Sequence, residues 1–389
     1  MGDKTPAISR RVAEIPPFYV MDIVRRAQRL EAAGRDVIHL EVGEPDFATP
    51  PDVLAAGTAA LAMGRTRYTE SQGLPELRRA IATRYQQTQG VQVDPDRIQV
   101  TAGASGALLL ATAVSLDPGE GLLMADPGYP CNPWFAKTVG ASVHRLTTTV
   151  ATAFHPTRMQ CEAEATEHDR ALLLAHPANP TGLAVPSRAL VEMLAWCTET
   201  QRTAIVDEIY FDLLFNPGHP GSLHFGSAHW VIGSFSKTFN MTGWRLGWAI
   251  VPEGAVEAAT KLAQHLFISP PSVAQYAALG CFTEDTARLV RQRRAELAAR
   301  RDQLVPALKA LGFAVPVFPD GAFYVFADAC RWTSDSRAWC LEILDATGVA
   351  MTPGVDFSDR LSPTWIRIAY TQPWDRLEDA LNRLAGVLR

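Results

Sequence analysis

Short apolar runs alternate along this chain with stretches whose apolar residues repeat at helical spacing. The strand-like runs fall at 37–40, 98–101, 121–124, 142–146, 171–175, 203–206, 231–233 and 246–251. Helical spacing marks 20–33, 51–63, 74–89, 104–115, 187–197 and 254–265. A strand that is apolar on both faces must be covered on both, and parallel strands need crossover helices to connect them. The alternation therefore predicts an α/β fold: a mostly parallel sheet covered by helices on both faces. From about residue 284 the texture changes. A long charged amphipathic helix is expected over 285–311, then strands at 314–316, 322–326 and 365–369, and a closing helix over 374–388. We therefore expect a large domain over 50–283 and a smaller α+β domain over 284–389, with residues 1–49 as an N-terminal arm that joins the smaller one.

Bulk properties exclude several function classes. A chain of 389 residues exceeds one small core. The formal net charge of −5, with no basic run, gives no footprint for nucleic acid. No apolar run reaches membrane-spanning or signal-peptide length. The six cysteines are scattered, with no CxxC pair, so they read as reduced thiols of a cytoplasmic protein, not as a disulfide framework or a metal site.

In such sheets ligands sit beyond the carboxyl ends of the strands, in the loops that enter helices. Five of these loops carry uncommon residues. Thr101-Ala-Gly-Ala-Ser-Gly-Ala107 opens a helix with small side chains, where backbone N–H groups can approach a phosphate. A plain glycine-rich turn would look the same, and its G-x-x-G is not the G-x-G-x-x-G of dinucleotide sites. Asp126-Pro-Gly-Tyr-Pro130 holds Tyr129 at a loop tip, either to stack on a flat ring or as a turn tyrosine. His176-Pro-Ala-Asn-Pro-Thr-Gly182 frames Asn179 with prolines, so its amide either bonds a ligand oxygen or caps the turn. In Val206-Asp-Glu-Ile-Tyr210 the carboxylate of Asp207 ends an apolar strand, a costly place unless it is paired. A protonated ring nitrogen is one partner; a turn or helix cap is the plainer alternative. Tyr210 can bring a phenol to the same place.

The fifth loop is Ser234-Phe-Ser-Lys-Thr-Phe-Asn-Met-Thr-Gly-Trp-Arg-Leu-Gly-Trp248. Only five of the 36 basic side chains (Lys plus Arg) are lysines, and one of the five, Lys237, stands here among serines. This chain uses arginine for ordinary positive charge, so an amine is wanted here. Lysine can lose its proton when desolvated and form a Schiff base, and arginine cannot. Arg245 adds a bidentate fork suited to phosphate.

Together these segments resemble the class I/II aminotransferases among the fold-type I pyridoxal-phosphate enzymes. LEVGEPDF (40–47), HPANPTG (176–182), VDEIY (206–210) and the lysine loop carry the likeness, which runs from about residue 16 to the C-terminus. The resemblance implies pyridoxal 5'-phosphate as cofactor. It makes Lys237 the covalent anchor and general base, pairs Asp207 with the ring nitrogen, and gives Tyr210 and Asn179 the ring 3-oxygen. Tyr129 would stack on the ring, while Ala104, Ser105, Ser234, Ser236 and Arg245 would hold the phosphate. Tyr68, in RYTESQGLPELR, would reach the phosphate of a neighbouring subunit, which implies a homodimer with active sites at the interface. Arg367, in TWIRIAY, would grip the substrate α-carboxylate with help from the Gly43 backbone. From the residues alone, an arginine between Ile366 and Ile368 wants a carboxylate, whether from substrate or from a structural salt bridge. Phe18 and Tyr19, in the arm PPFYVM, would line the side-chain pocket.

Ser105 stands where some aspartate-preferring relatives carry lysine, and Asn132 where many have tyrosine. With an apolar arm, this implies an L-amino acid donor of apolar or small side chain and a 2-oxo acid acceptor, exchanged by a ping-pong mechanism. A C–S β-lyase or other eliminating enzyme would use the same residues and differ in the fate of the carbanion. An idle regulator would need an N-terminal DNA-binding module, and the match begins too early to leave room for one. A nicotinamide dehydrogenase lacks its glycine pattern here and gives Lys237 no role.

Overall fold

The structure is a computed structural model that describes residues 8–388 except Pro217 and Ser362. Residues 1–7 of the expected arm and residue 389 lie outside the described residues. The strands are β1 (Ile38–His39), β2 (Ile98–Thr101), β3 (Gly121–Asp126), β4 (Ser142–Thr147), β5 (Asp169–Ala175) and β6 (Thr203–Asp207), then β7 (Trp230–Ser234), β8 (Gly247–Ile250), β9 (Tyr324–Asp328), β10 (Val349–Ala350), β11 (Thr352–Pro353) and β12 (Trp365–Ala369). Seven of them form one sheet in the order β2-β8-β7-β6-β5-β3-β4. Its inner pairs are parallel, and β8 alone runs against the rest.

The double burial read from the sequence is visible residue by residue. In β5, Leu172 and Leu174 face one side, where with Ala204 and Val206 of β6 they pack on Leu190 and Met193 of the helix Ser187–Glu199. Ala171 and Leu173 face the other side, where with Ile205 they pack on Leu108 and Ala111 of the helix Gly103–Ser115. Neighbours along a strand thus serve opposite cores, and each buried leucine contributes about 1.5–3 kcal/mol.

A second core gathers the C-terminal elements. β9, β11 and β12 form an antiparallel sheet in the order β11-β12-β9, and β1 pairs in parallel with β10. Ile23 and Ala27 of the helix Val20–Ala32 enter this core together with Leu344, Ile366 and Leu377. The helix Glu284–Ala310 links the two bodies. Val290 packs with Val53, Leu77 and Phe235 in the first, while Leu297, Leu304 and Leu308 pack in the second.

Some expectations need correction. The strand expected at 314–316 is a single bridge from Ala314 to Asp328, and the one expected at 322–326 begins at Tyr324. Here Gly321 and Ala322 are held by the loop after Tyr210, through the Leu214–Gly321 bridge and the Ala322 N–H bond to Leu213, instead of by a sheet. The helices Asn132–Thr138, Arg158–Glu164, Ser272–Ala278 and Ser336–Thr347 are additional to the pattern read from the sequence. Among the described residues no helix is long and apolar enough to cross a membrane.

Candidate active site

β3, β5, β6 and β7 carry their C-terminal ends to one edge of the sheet, and a cavity of about 360 Å³ lies there against the second core. Its lining brings together Gly43, Ala104, Ser105, Tyr129, Asn179, Asp207, Tyr210, Ser234, Ser236, Lys237, Arg245, Arg367 and Phe18. Two of the residues singled out in the sequence lie elsewhere. Tyr68 is 80% exposed on the surface. Tyr19 turns its ring outward beneath the Arg337 guanidinium, 4.3 Å from the ring centroid. A wider cleft of about 520 Å³, lined by Arg84, Phe211 and Arg294, contains none of the residues the sequence marked.

Lys237 rides on the short helix Phe235–Thr238 that starts as β7 ends, with the Ser234 hydroxyl accepting the Ser236 N–H at 3.1 Å. Its Nζ donates to the Gly43 carbonyl at 2.8 Å. Burial, with the Arg367 and Arg245 charges, lowers its pKa to about 8, so a neutral amine is within reach near neutral pH. Asp207 ends β6, accepts the Ile209 N–H at 3.1 Å, and is 4% exposed. No cation pairs with it among the described residues, and burial raises its pKa to about 7. A buried carboxylate held this way lacks a positive partner.

The Tyr210 phenol shares a 2.9 Å hydrogen bond with the Tyr324 phenol. Arg367 lies between the rings of Tyr324 and Phe357, 4.5 and 4.8 Å from their centroids. It donates to the Asn179 amide oxygen at 3.1 Å, to Thr352 Oγ1 at 3.2 Å and to the Glu41 carbonyl. Its Nε is buried and unpartnered, and all its partners are neutral, so the salt-bridge alternative does not hold among the described residues. A buried guanidinium with neutral partners is suited to an incoming carboxylate.

On the other side, Arg245 has φ +53°, donates to the Thr242 carbonyl at 3.0 Å, and lies against Gly103 at the start of the helix Gly103–Ser115. A Cβ on Gly103 would come within 2.6 Å of Arg245 Nη2, and one on Gly247 within 2.7 Å of the Ala104 nitrogen. The backbone is thus bared for a close-fitting anion. An anion cradle, an unpaired buried carboxylate, a depressed amine and two oxygen-bonding side chains fit the parts of pyridoxal phosphate. Two further residues line the cavity without being singled out in the sequence: Tyr324 sits within the apolar run GAFYVF and reads as core, and Glu41 lies inside LEVGEPDF, just after the strand-like run 37–40. Thr352, which bonds Arg367, carries no signal in the sequence.

A cavity with this donor set, on this sheet, defines a class of amino-group-transferring enzymes. The profile of the family "Aminotransferase class I and II" matches residues 35–384, and the chain belongs to that family. The fold-type I aminotransferases are pyridoxal-phosphate-dependent, and this chain is an aminotransferase. It is 37% identical over 383 residues to the valine–pyruvate aminotransferase of Mycobacterium tuberculosis, covering 97% of each chain. It is 33% identical to the aspartate/prephenate aminotransferase of Thermus thermophilus, covering 98% of each. A crystal structure of an aminotransferase from Mycobacterium tuberculosis superposes with a TM-score of 0.93 at 37% identity, covering 99% of each chain.

Proposed function

We propose that the protein moves an amino group between an L-amino acid of apolar or small side chain and a 2-oxo acid, with pyridoxal 5'-phosphate in the cavity and ping-pong kinetics. The observation that carries this reading is the pairing of a depressed lysine amine with an arginine fork whose partners are all neutral, in one cavity. When bound, the cofactor supplies the electron sink that makes the Cα proton removable and carries the amino group between half-reactions. Lys237 anchors the cofactor and, as a free amine, takes the proton from substrate Cα. Asp207 stays ionised by pairing with the ring nitrogen. Tyr210 and Asn179 hold the ring oxygen and Tyr129 covers the ring. Arg245, Ser234, Ser236 and the backbone at Ala104 and Ser105 hold the phosphate. Arg367 orients the substrate by its carboxylate, beside Gly43, and the second body limits water in the cavity.

Phe18, Val20, Met21, Val24 and Val42 give the side-chain end an apolar wall, and the charges beside it among the cavity's lining residues, Glu41 and Glu44, are both negative. That supports an apolar donor and disfavours aspartate. We also propose the division into an arm (1–49), a large domain (50–283) and a small domain (284–389), and a cytoplasmic homodimer in which Tyr68 serves the neighbouring site. All six cysteines are unpaired, which fits a reducing compartment.

The test is the visible spectrum of the cofactor-loaded protein with single amino acids and no oxo acid. Alanine, leucine or methionine should bleach the band. If aspartate gives the highest kcat/KM, the donor assignment is wrong.

A further inference from the structure

Three of the five apolar wall residues, Phe18, Val20 and Met21, come from the N-terminal turn of the helix Val20–Ala32 and the residues just before it. The body of that helix is docked by Ile23 and Ala27, which are buried, and by Arg26, which bonds both oxygens of Asp345 at 2.7 and 3.1 Å. In the first turn Arg337 reaches Asp22 at 3.2 Å and lies over the Tyr19 ring. The backbone N–H groups that open the turn are held by one side chain. Asp356 accepts the Tyr19 N–H on one carboxylate oxygen and the Val20 N–H on the other, each at 2.8 Å, and is 8% exposed. Two of the free donors at the start of a helix are thereby satisfied by a residue more than 330 positions away. Asp356 closes the turn Gly354–Asp356, which directly follows β11, and Thr352 of β11 pairs in register with Arg367. One short segment thus sets both the fork for the α-carboxylate and the wall for the side chain.

We propose that Asp356 is a positioning residue that sets donor selectivity: it fixes the distance between Arg367 and the wall formed by Phe18, Val20 and Met21. This rests on the aminotransferase reading of the cavity. A methyl side chain presents little surface to such a wall, whereas the longer side chains of leucine and methionine bury more against it. A route through the charge of Arg367 would instead act on every donor alike, because all share the α-carboxylate.

The test is Asp356→Asn in the cofactor-loaded enzyme, with half-reactions followed by absorbance for alanine, valine, leucine and methionine. An amide can accept one of the two N–H groups but opposes the other. The expected result is a loss of about five- to tenfold in kcat/KM for leucine and methionine, expressed in KM, corresponding to one helix cap. Alanine should change less than about twofold. Phe18→Ala, which trims the 39% exposed member of the wall, should give the same selective pattern and serves if the Asp356 variant folds poorly. Equal losses for alanine and leucine, or unchanged ratios in either variant, would overturn the proposal alone. A wild type inert toward every amino acid would overturn the aminotransferase reading and this proposal with it.

Discussion

Asp207 shows how a residue of the proposed site can cost stability. Its pKa lies near 7 in the folded chain and near 4 in an unfolded one. A carboxyl raised in this way favours folding only while protonated. The penalty is absent below about pH 4, grows as pH rises to about 7, and stays constant above. In the cofactor-free protein, Asp207→Asn should therefore raise Tm at pH 8, by up to roughly 2 kcal/mol of stability, and change little at pH 4. The same variant should bind the cofactor less tightly. A Tm gain that is equal at both pH values would show that the carboxylate carries no such penalty. Legibility at this scale depended on framing. Lys237, Asp207 and Asn179 sit among serines, after a strand and between prolines; Asp207 and Asn179 each have a plain capping role to hand, and it is the set of five such loops that has none. Tyr324 and Asp356 do not: one is a tyrosine in an apolar strand, and the other is a carboxylate whose partners lie at the far end of the sequence. Phe18 and Tyr19 looked equivalent in the sequence. The structure separates them: Phe18, just outside the helix, lines the cavity, while Tyr19, its N-cap, lies under the Arg337 guanidinium.

Elements were legible where burial imposed a period. The strand at 171–175 (ALLLA) is an unbroken apolar run, 203–206 (TAIV) is nearly one, and 98–101 (IQVT) alternates; β5, β6 and β2 lie there. The opposite run of β8 left no mark, since a doubly buried strand has the same composition in either direction. The helix Ser336–Thr347 went unread although its cap is in the sequence: Asp335 accepts the Arg337 and Ala338 N–H groups at 3.1 Å, and Gly348 closes the other end at φ +74°. At this scale the proposed phosphate cradle can be tested. Gly103 has φ +73°, which costs an alanine about 1 kcal/mol, and the new methyl would displace the Arg245 fork. Gly103→Ala should weaken cofactor affinity about tenfold or more in a fluorescence titration. Gly64→Ala is the control, with φ +67° and open space around it; it should leave affinity unchanged.

For the whole molecule, the surface position of Tyr68 makes the proposed dimer testable. If the tyrosine serves a neighbour's cavity, Tyr68→Ala and Lys237→Ala chains, each nearly inactive, should regain activity when mixed as hybrids. One site of each hybrid would then have both groups intact. Mixtures no better than the parents would mean that Tyr68 acts within its own chain or not at all. The second core has a different consequence, which concerns synthesis. Ile23, Ala27, Val37, Ile38 and Leu40 pack against partners from Leu297 to Leu384. The first of these groups leaves the ribosome long before the last partner does. At roughly 10 residues per second the interval is about half a minute. During that time the seven-stranded sheet can assemble, while the apolar face of the helix Val20–Ala32 stays uncovered, a ready ligand for any chaperone that reads exposed hydrophobic surface.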